Sequence, residues 1–138
     1  MRRRRNGQAL VEFSLAVIVF LVLMMGIFDF GRGIFMYNGV SQAAREIARR
    51  TSVYPGIELG ESVESQAVIA VQQGLVPGME APTFACLSIT GDPSLSDPCA
   101  SGDIVQVTVT ATYEPITPLL GFLGAIPLSA SGSAQIPG

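Results

Sequence analysis

The stretch Arg2–Phe20, "RRRRNGQALVEFSLAVIVF", decides how the rest of the chain is read. Four arginines precede a lone glycine, Gly7, and an apolar run then opens with one carboxylate, Glu12, near its front edge. From Phe13 to Phe28 there is no charge and no proline, and Gly26 is the one strong turn residue. As a helix those residues rise about 24 Å, short of a hydrocarbon core of about 30 Å. Counting from Gln8 completes the span and puts Glu12 one turn inside it. A carboxylate at mid-bilayer costs about 2.5–3.5 kcal/mol, less near the interface, so it persists mainly where it has a partner.

The helix does not stop with the span. Asp29 and Arg32 mark its outer boundary and, at i,i+3, can face each other. In "YNGVSQAAREIARRTSVYPG" (37–56), Val40, Ala44, Ile47 and Ala48 share one face, while Glu46 precedes Arg50 by one turn in the favourable order. Tyr54-Pro55-Gly56 ends the pattern. One helix is predicted from about Asn6 to Thr51, about 70 Å long, greasy below and amphipathic above.

A second helix is predicted from Ser62 to Gln73, with Ser62 as N-cap, Gly74 as C-cap and Val63, Ala67, Ala70 and Val71 as its buried stripe. A strand falls within Thr83–Thr90. In "DIVQVTVTATYEP", Val105, Val107, Val109, Ala111 and Tyr113 alternate with Gln106, Thr108, Thr110 and Thr112, the period of a half-buried strand. "LSASGSAQI" repeats it with Leu128, Ala130, Gly132, Ala134 and Ile136 on one face. The intervening "PITPLLGFLGAIP" suits a turn or short helix. The fold class is α+β: a long N-terminal transmembrane and amphipathic helix, with a small antiparallel sheet and a short second helix packed on its outer half.

Composition narrows the function. The chain has 138 residues, a net charge of −3 and no histidine; it also lacks lysine and tryptophan, so every positive charge is an arginine. That balance excludes a general nucleic-acid binder, which needs a basic face to displace counterions. Arg2–Arg5 beside an apolar span read instead as a signal holding the N-terminus in the cytoplasm. Without histidine or lysine the usual general bases and nitrogen metal ligands are missing, so no catalytic, cofactor-binding or metal residues are assigned. Asp92, Asp97 and Asp103 cluster around one loop, but their spacing does not fit an EF-hand and solvated turn aspartates are the default. Gly31-x-Gly33 lacks the preceding strand of a dinucleotide site. Cys86 and Cys99 are too far apart for a redox CxxC. They are either two buried thiols or a disulfide, worth about 3 kcal/mol in the chain-entropy model; placement outside the cytoplasm favours the disulfide.

Three ordinary readings of the N-terminus compete. A cleaved secretory signal would need a small-x-small site, and "GIFDFGRG" is a poor one. A lipoprotein signal would need a cysteine just after the apolar run, and the first is Cys86. A plain signal anchor explains the arginines and the span but leaves Gly7 and Glu12 as accidents.

Basic residues, then Gly7, four residues, Glu12 and Phe13 ahead of the apolar core resemble a type IV prepilin leader. More narrowly, Gly7-Gln8-Ala9-Leu10-Val11-Glu12-Phe13, Asp29-Phe30-Gly31-Arg32, Asn38 and Ala43-Ala44-Arg45-Glu46 with Ala48-Arg49 resemble the TadE-like family, pilin-like proteins of the tight-adherence pilus machinery. The distal strands are similar too, less specifically, and the proline common in that family's apolar run is missing here. The resemblance implies a pseudopilin cut by a prepilin peptidase after Gly7, with Gln8 as the new N-terminus. Glu12 would then be the carboxylate that pairs with the new amino group during assembly. The implied divisions are a leader (1–7), a transmembrane helix (8–30), its extracytoplasmic continuation (31–54) and a small α+β domain (55–138). Expected partners are the peptidase, the membrane and, through the N-terminal helix, the major pilin or other pseudopilins; nucleic acid is not among them. The expected place is the bacterial inner membrane, N-terminus inside, with possible passage into a pilus. The alternative is a permanent signal-anchored envelope protein whose outer domain binds a ligand or partner.

Overall fold

The computed structural model describes residues 4–94, 99–117, 121 and 124–138, with the backbone alone for 4–6. Helix α1 (Arg4–Val53) is one unbroken element of 50 residues. Helix α2 (Val63–Leu75) follows, then strands β1 (Thr83–Leu87), β2 (Ile104–Tyr113) and β3 (Ile126–Gln135). The sheet order is β1-β2-β3 and both pairings are antiparallel. The predicted architecture is the observed one.

The period of two in β2 does the work expected of it. Val105, Val107, Val109, Ala111 and Tyr113 are buried, while the residues between them are half-exposed. Register puts Val105 opposite Ala134, Val107 opposite Gly132 and Tyr113 opposite Ile126, so β3 turns its predicted face the same way. From β1, Phe84 and Cys86 pair with Val107 and Val105 and complete that face.

The upper half of α1 lies across it. Val40, Ala43, Ala44, Ile47 and Ala48 are fully buried. Three of the five are alanines, and the closest approach explains why. A Cβ placed on Gly132 would stand 2.6 Å from the carbonyl carbon of Ala44 and 2.7 Å from its oxygen. Helix backbone and strand backbone are in contact there, and only glycine leaves room. A second close fit closes the far end. Gly60, at φ +82°, lies under the ring of Phe84, where a Cβ would meet ring carbon at 2.4 Å. Positive φ and a covering ring both require glycine.

Helix α2 begins as predicted and packs otherwise. Ser62 is the N-cap, its hydroxyl accepting from the Ser65 N–H at 3.1 Å. The predicted stripe is on the wrong face: Val63 and Val71 are exposed, as are Ala67 and Ala70, while Ser65 and Ile69 are buried. The reason is polar. The Thr51 hydroxyl of α1 donates to the Ser65 hydroxyl at 3.3 Å, and Ser65 donates in turn to the Tyr54 carbonyl at 3.4 Å. A hydrogen-bonded serine can occupy a buried position that an apolar count assigns to valine. Gly74 is not the C-cap either; the helix continues to Leu75 and is capped by Val76 in extended conformation.

Cys86 and Cys99 form a disulfide, Cα atoms 5.7 Å apart, that ties the end of β1 to the loop before β2. In that loop Asp92 accepts from the Thr90 hydroxyl at 2.9 Å. Asp103 accepts from the Ser94 hydroxyl at 2.8 Å and the Ala100 N–H at 3.1 Å. Each organises its own turn; Asp97 lies outside the described residues, as does most of the turn expected between Thr117 and Ile126. Among the described residues no three His, Cys, Asp or Glu side chains converge as a metal site would require.

Candidate functional site

Below the head, no described residue covers α1. Its most apolar window has a mean hydropathy of 2.6 and no buried residue. Phe13 and Ile27 are about 70 % exposed, although in water such side chains would be the first to be covered. Apolarity on every side of a helix, rather than along one stripe, is the signature of a segment surrounded by lipid or by other helices.

The residues singled out at its foot sit on this bare rod. Gly7 is helical and exposed, with nothing within 4 Å of where a Cβ would stand, so the fold itself does not require glycine there. Gln8 and Glu12 are exposed and one turn apart on the same helix. Among the described residues no side chain pairs with Glu12; the local hydrogen bond is that of Ser14, whose hydroxyl donates to the Leu10 carbonyl at 2.8 Å. Gly7, Gln8 and Glu12 thus stand along one exposed stretch of α1, and among the described residues Glu12 has no side-chain partner.

At the other end of the rod is a polar clamp that sequence reasoning reached only in part. On the side that faces the sheet, coverage begins directly after Phe28. Asp29 is 2 % exposed and belongs to the head. Its carboxylate accepts from the N–H groups of Ile116 and Thr117 at 3.3 and 3.2 Å, and from the Thr117 hydroxyl. Its backbone carbonyl accepts from the Tyr113 hydroxyl at 2.8 Å. The predicted partner Arg32 is present but distant, 4.0 Å away with its side chain half exposed, and its guanidinium lies 5.6 Å from the centre of the Tyr113 ring. The Thr117 hydroxyl and the two N–H groups thus satisfy the buried Asp29 carboxylate, with Arg32 at its edge. Burial and then the Asp29 charge push the Tyr113 phenol up. The clamp fixes the head to α1 at the point where the bare segment begins. The one hint of it in the sequence is "YEPITP" after β2, where prolines interrupt the strand and leave two N–H groups for a local acceptor.

Residues 7–49 match the model of the family described as TadE-like protein. No curated protein and no solved structure matches the chain. The TadE-like segment takes in Gly7, Glu12, the bare rod, Asp29 and the alanine seat of the head, and ends before α2 and the sheet. It supports a protein associated with the tight-adherence pilus, and together with the apolar helix it supports a membrane anchor.

Proposed function

We propose that this chain is a TadE-like pseudopilin of a tight-adherence pilus. It is inserted with Arg2–Arg5 in the cytoplasm and the head outside, cut by a prepilin peptidase after Gly7, and docked to pilin neighbours through the freed helix. The observation that carries this reading is the pairing of Gly7 and Glu12, five residues apart, on a helix segment that no described residue covers. Among the described residues no contact explains either one.

Cutting supplies what Glu12 lacks. It creates an ammonium on Gln8, on this subunit or on a neighbour. An ammonium–carboxylate pair in a low-dielectric setting adds little net stability, but leaving one member alone is expensive. The pair therefore acts as a register device between helices. Cutting also removes four arginines and takes the side-chain balance from −3 to −7. Those charges would otherwise hold the helix at the inner surface, so their removal suits a helix that leaves the bilayer.

The test is mass and N-terminal sequence after co-expression with a prepilin peptidase. The expected product is a 131-residue chain (138 less the seven of the leader) beginning at Gln8, and Gly7→Val should abolish it. An intact N-terminus in the presence of an active peptidase would instead fit the permanent signal anchor.

A further inference from the structure

The apolar surface of α1 does not end where the head begins. On the side facing the sheet it ends at Asp29, which the clamp covers. On the side facing away it continues through Phe30, Ile34 and Phe35, which are 71, 47 and 80 % exposed. That outer face turns polar only at Asn38, Ser41 and Gln42. The head adds to this collar at the same level: Ile116, 71 % exposed, next to the Asp29 carboxylate, and Leu75, 68 % exposed. Leu75 borders a groove of about 220 Å³ whose lining also includes Arg32, Phe35 and Tyr113.

We propose that this collar is seated in the outer leaflet, so that the base of the head lies in phospholipid and not in water. The inference rests on the reading of the bare rod as a membrane span. With Gln8 at the inner edge, the rise to Asp29 is about 32 Å and to Phe35 about 40 Å. Against a hydrocarbon core of about 30 Å flanked by headgroup regions, that zone is the outer interface. Arg32, the single charge among residues 30–36, is half exposed at this depth, where a guanidinium can reach lipid phosphate.

The distribution also selects lipid over a docked helix. A partner helix covers one stripe at i, i+3, i+4 and i+7. Here Phe30 and Ile34 lie on one flank of α1 and Phe35 on the other, with Ile116 and Leu75 projecting from the head. A medium that wraps the helix fits that spread. It also gives the clamp a purpose: at this depth the Ile116 and Thr117 N–H groups and the Thr117 hydroxyl occupy the Asp29 carboxylate and cover it from lipid.

The chain contains no tryptophan, so single reporters are unambiguous. Phe35→Trp, Ile116→Trp, Phe20→Trp and Ile57→Trp would each be made in the full chain. Each would be reconstituted at high dilution into phosphatidylcholine–phosphatidylglycerol vesicles carrying bromine shallow or deep on the acyl chain. Phe20→Trp should be quenched by deep bromine. Phe35→Trp and Ile116→Trp should be quenched by shallow bromine several-fold more strongly than Ile57→Trp, which replaces a residue 90 % exposed beyond the far end of α1. Collar reporters reached by aqueous acrylamide and not by bromine would overturn the proposal while leaving the span intact. Collar reporters shielded from both would mark a surface covered by another copy, which also overturns it. Failure of Phe20→Trp to respond to deep bromine would remove the span itself, and the collar with it.

Discussion

The lower and upper halves of α1 are one continuous helix with opposite fates. The lower half, up to Phe28, is packed with leucine, valine, isoleucine, phenylalanine and methionine, and none of it is buried. The upper half carries fewer apolar residues, most of them small, yet Val40, Ala43, Ala44, Ile47 and Ala48 are completely covered. Hydrophobicity alone would order the two the other way. Coverage follows from whether a complementary surface exists in the same chain. The small residues have one in Gly132 and the β2 valines; among the described residues the large ones have none. The lower half is built to be covered by something else.

The comparison breaks first at Gly132. If the upper half is held by backbone contact, adding one methyl group there should be severe, whereas the same change on an open helix position should help. Gly132→Ala is expected to cost about 3 kcal/mol, the upper end of overpacking, because the obstruction at 2.6 Å is backbone and cannot rotate away. Gly74→Ala, inside α2 with nothing within 4 Å, should stabilise by about 0.5–1 kcal/mol. Denaturant unfolding of the detergent-solubilised chain, followed by circular dichroism, reads both. Equal effects would mean that the helix–sheet contact can relax.

A smaller effect is expected at the joint between the halves. Asp29→Asn keeps the size of the side chain but takes a charged acceptor from the Ile116 and Thr117 N–H groups and the Thr117 hydroxyl. It should lower the stability of the head by about 1.5 kcal/mol, read by the same unfolding measurement. Stability equal to the wild type would mean that packing at Asp29, and not its charge, holds the head in place.

The two halves also differ in how far the sequence discloses them. The span, the helix length and the β2 face follow from periodicity and rise, which are local. The α2 stripe is misread because Ser65 is buried by hydrogen bonds to Thr51 and Tyr54, and hydropathy cannot register a satisfied hydroxyl. Beyond its Asp29–Arg32 pair, the clamp escapes the sequence for a different reason. Asp29 and its partners Ile116 and Thr117 are 87 and 88 residues apart, and no local pattern connects an aspartate at a span boundary to two N–H groups after a distant strand. Gly7 and Glu12 present the reverse case. Their spacing is legible at once, and the fold adds only that nothing among the described residues accounts for it.

The most direct measurement separates cutting from docking. Glu12→Val should leave processing intact, since the new N-terminus at Gln8 does not depend on the carboxylate. The processed chain should then fail to join its neighbours, because the Gln8 ammonium has lost its partner. The readout is the fraction of processed protein recovered in sheared pili or crosslinked through α1 to pilin, compared with wild type. A normal mass for the cut chain with recovery at least about tenfold lower, corresponding to about 1.4 kcal/mol of lost docking, is the expected result. Recovery at the wild-type level would contradict it and leave Glu12 a bystander on an ordinary membrane anchor.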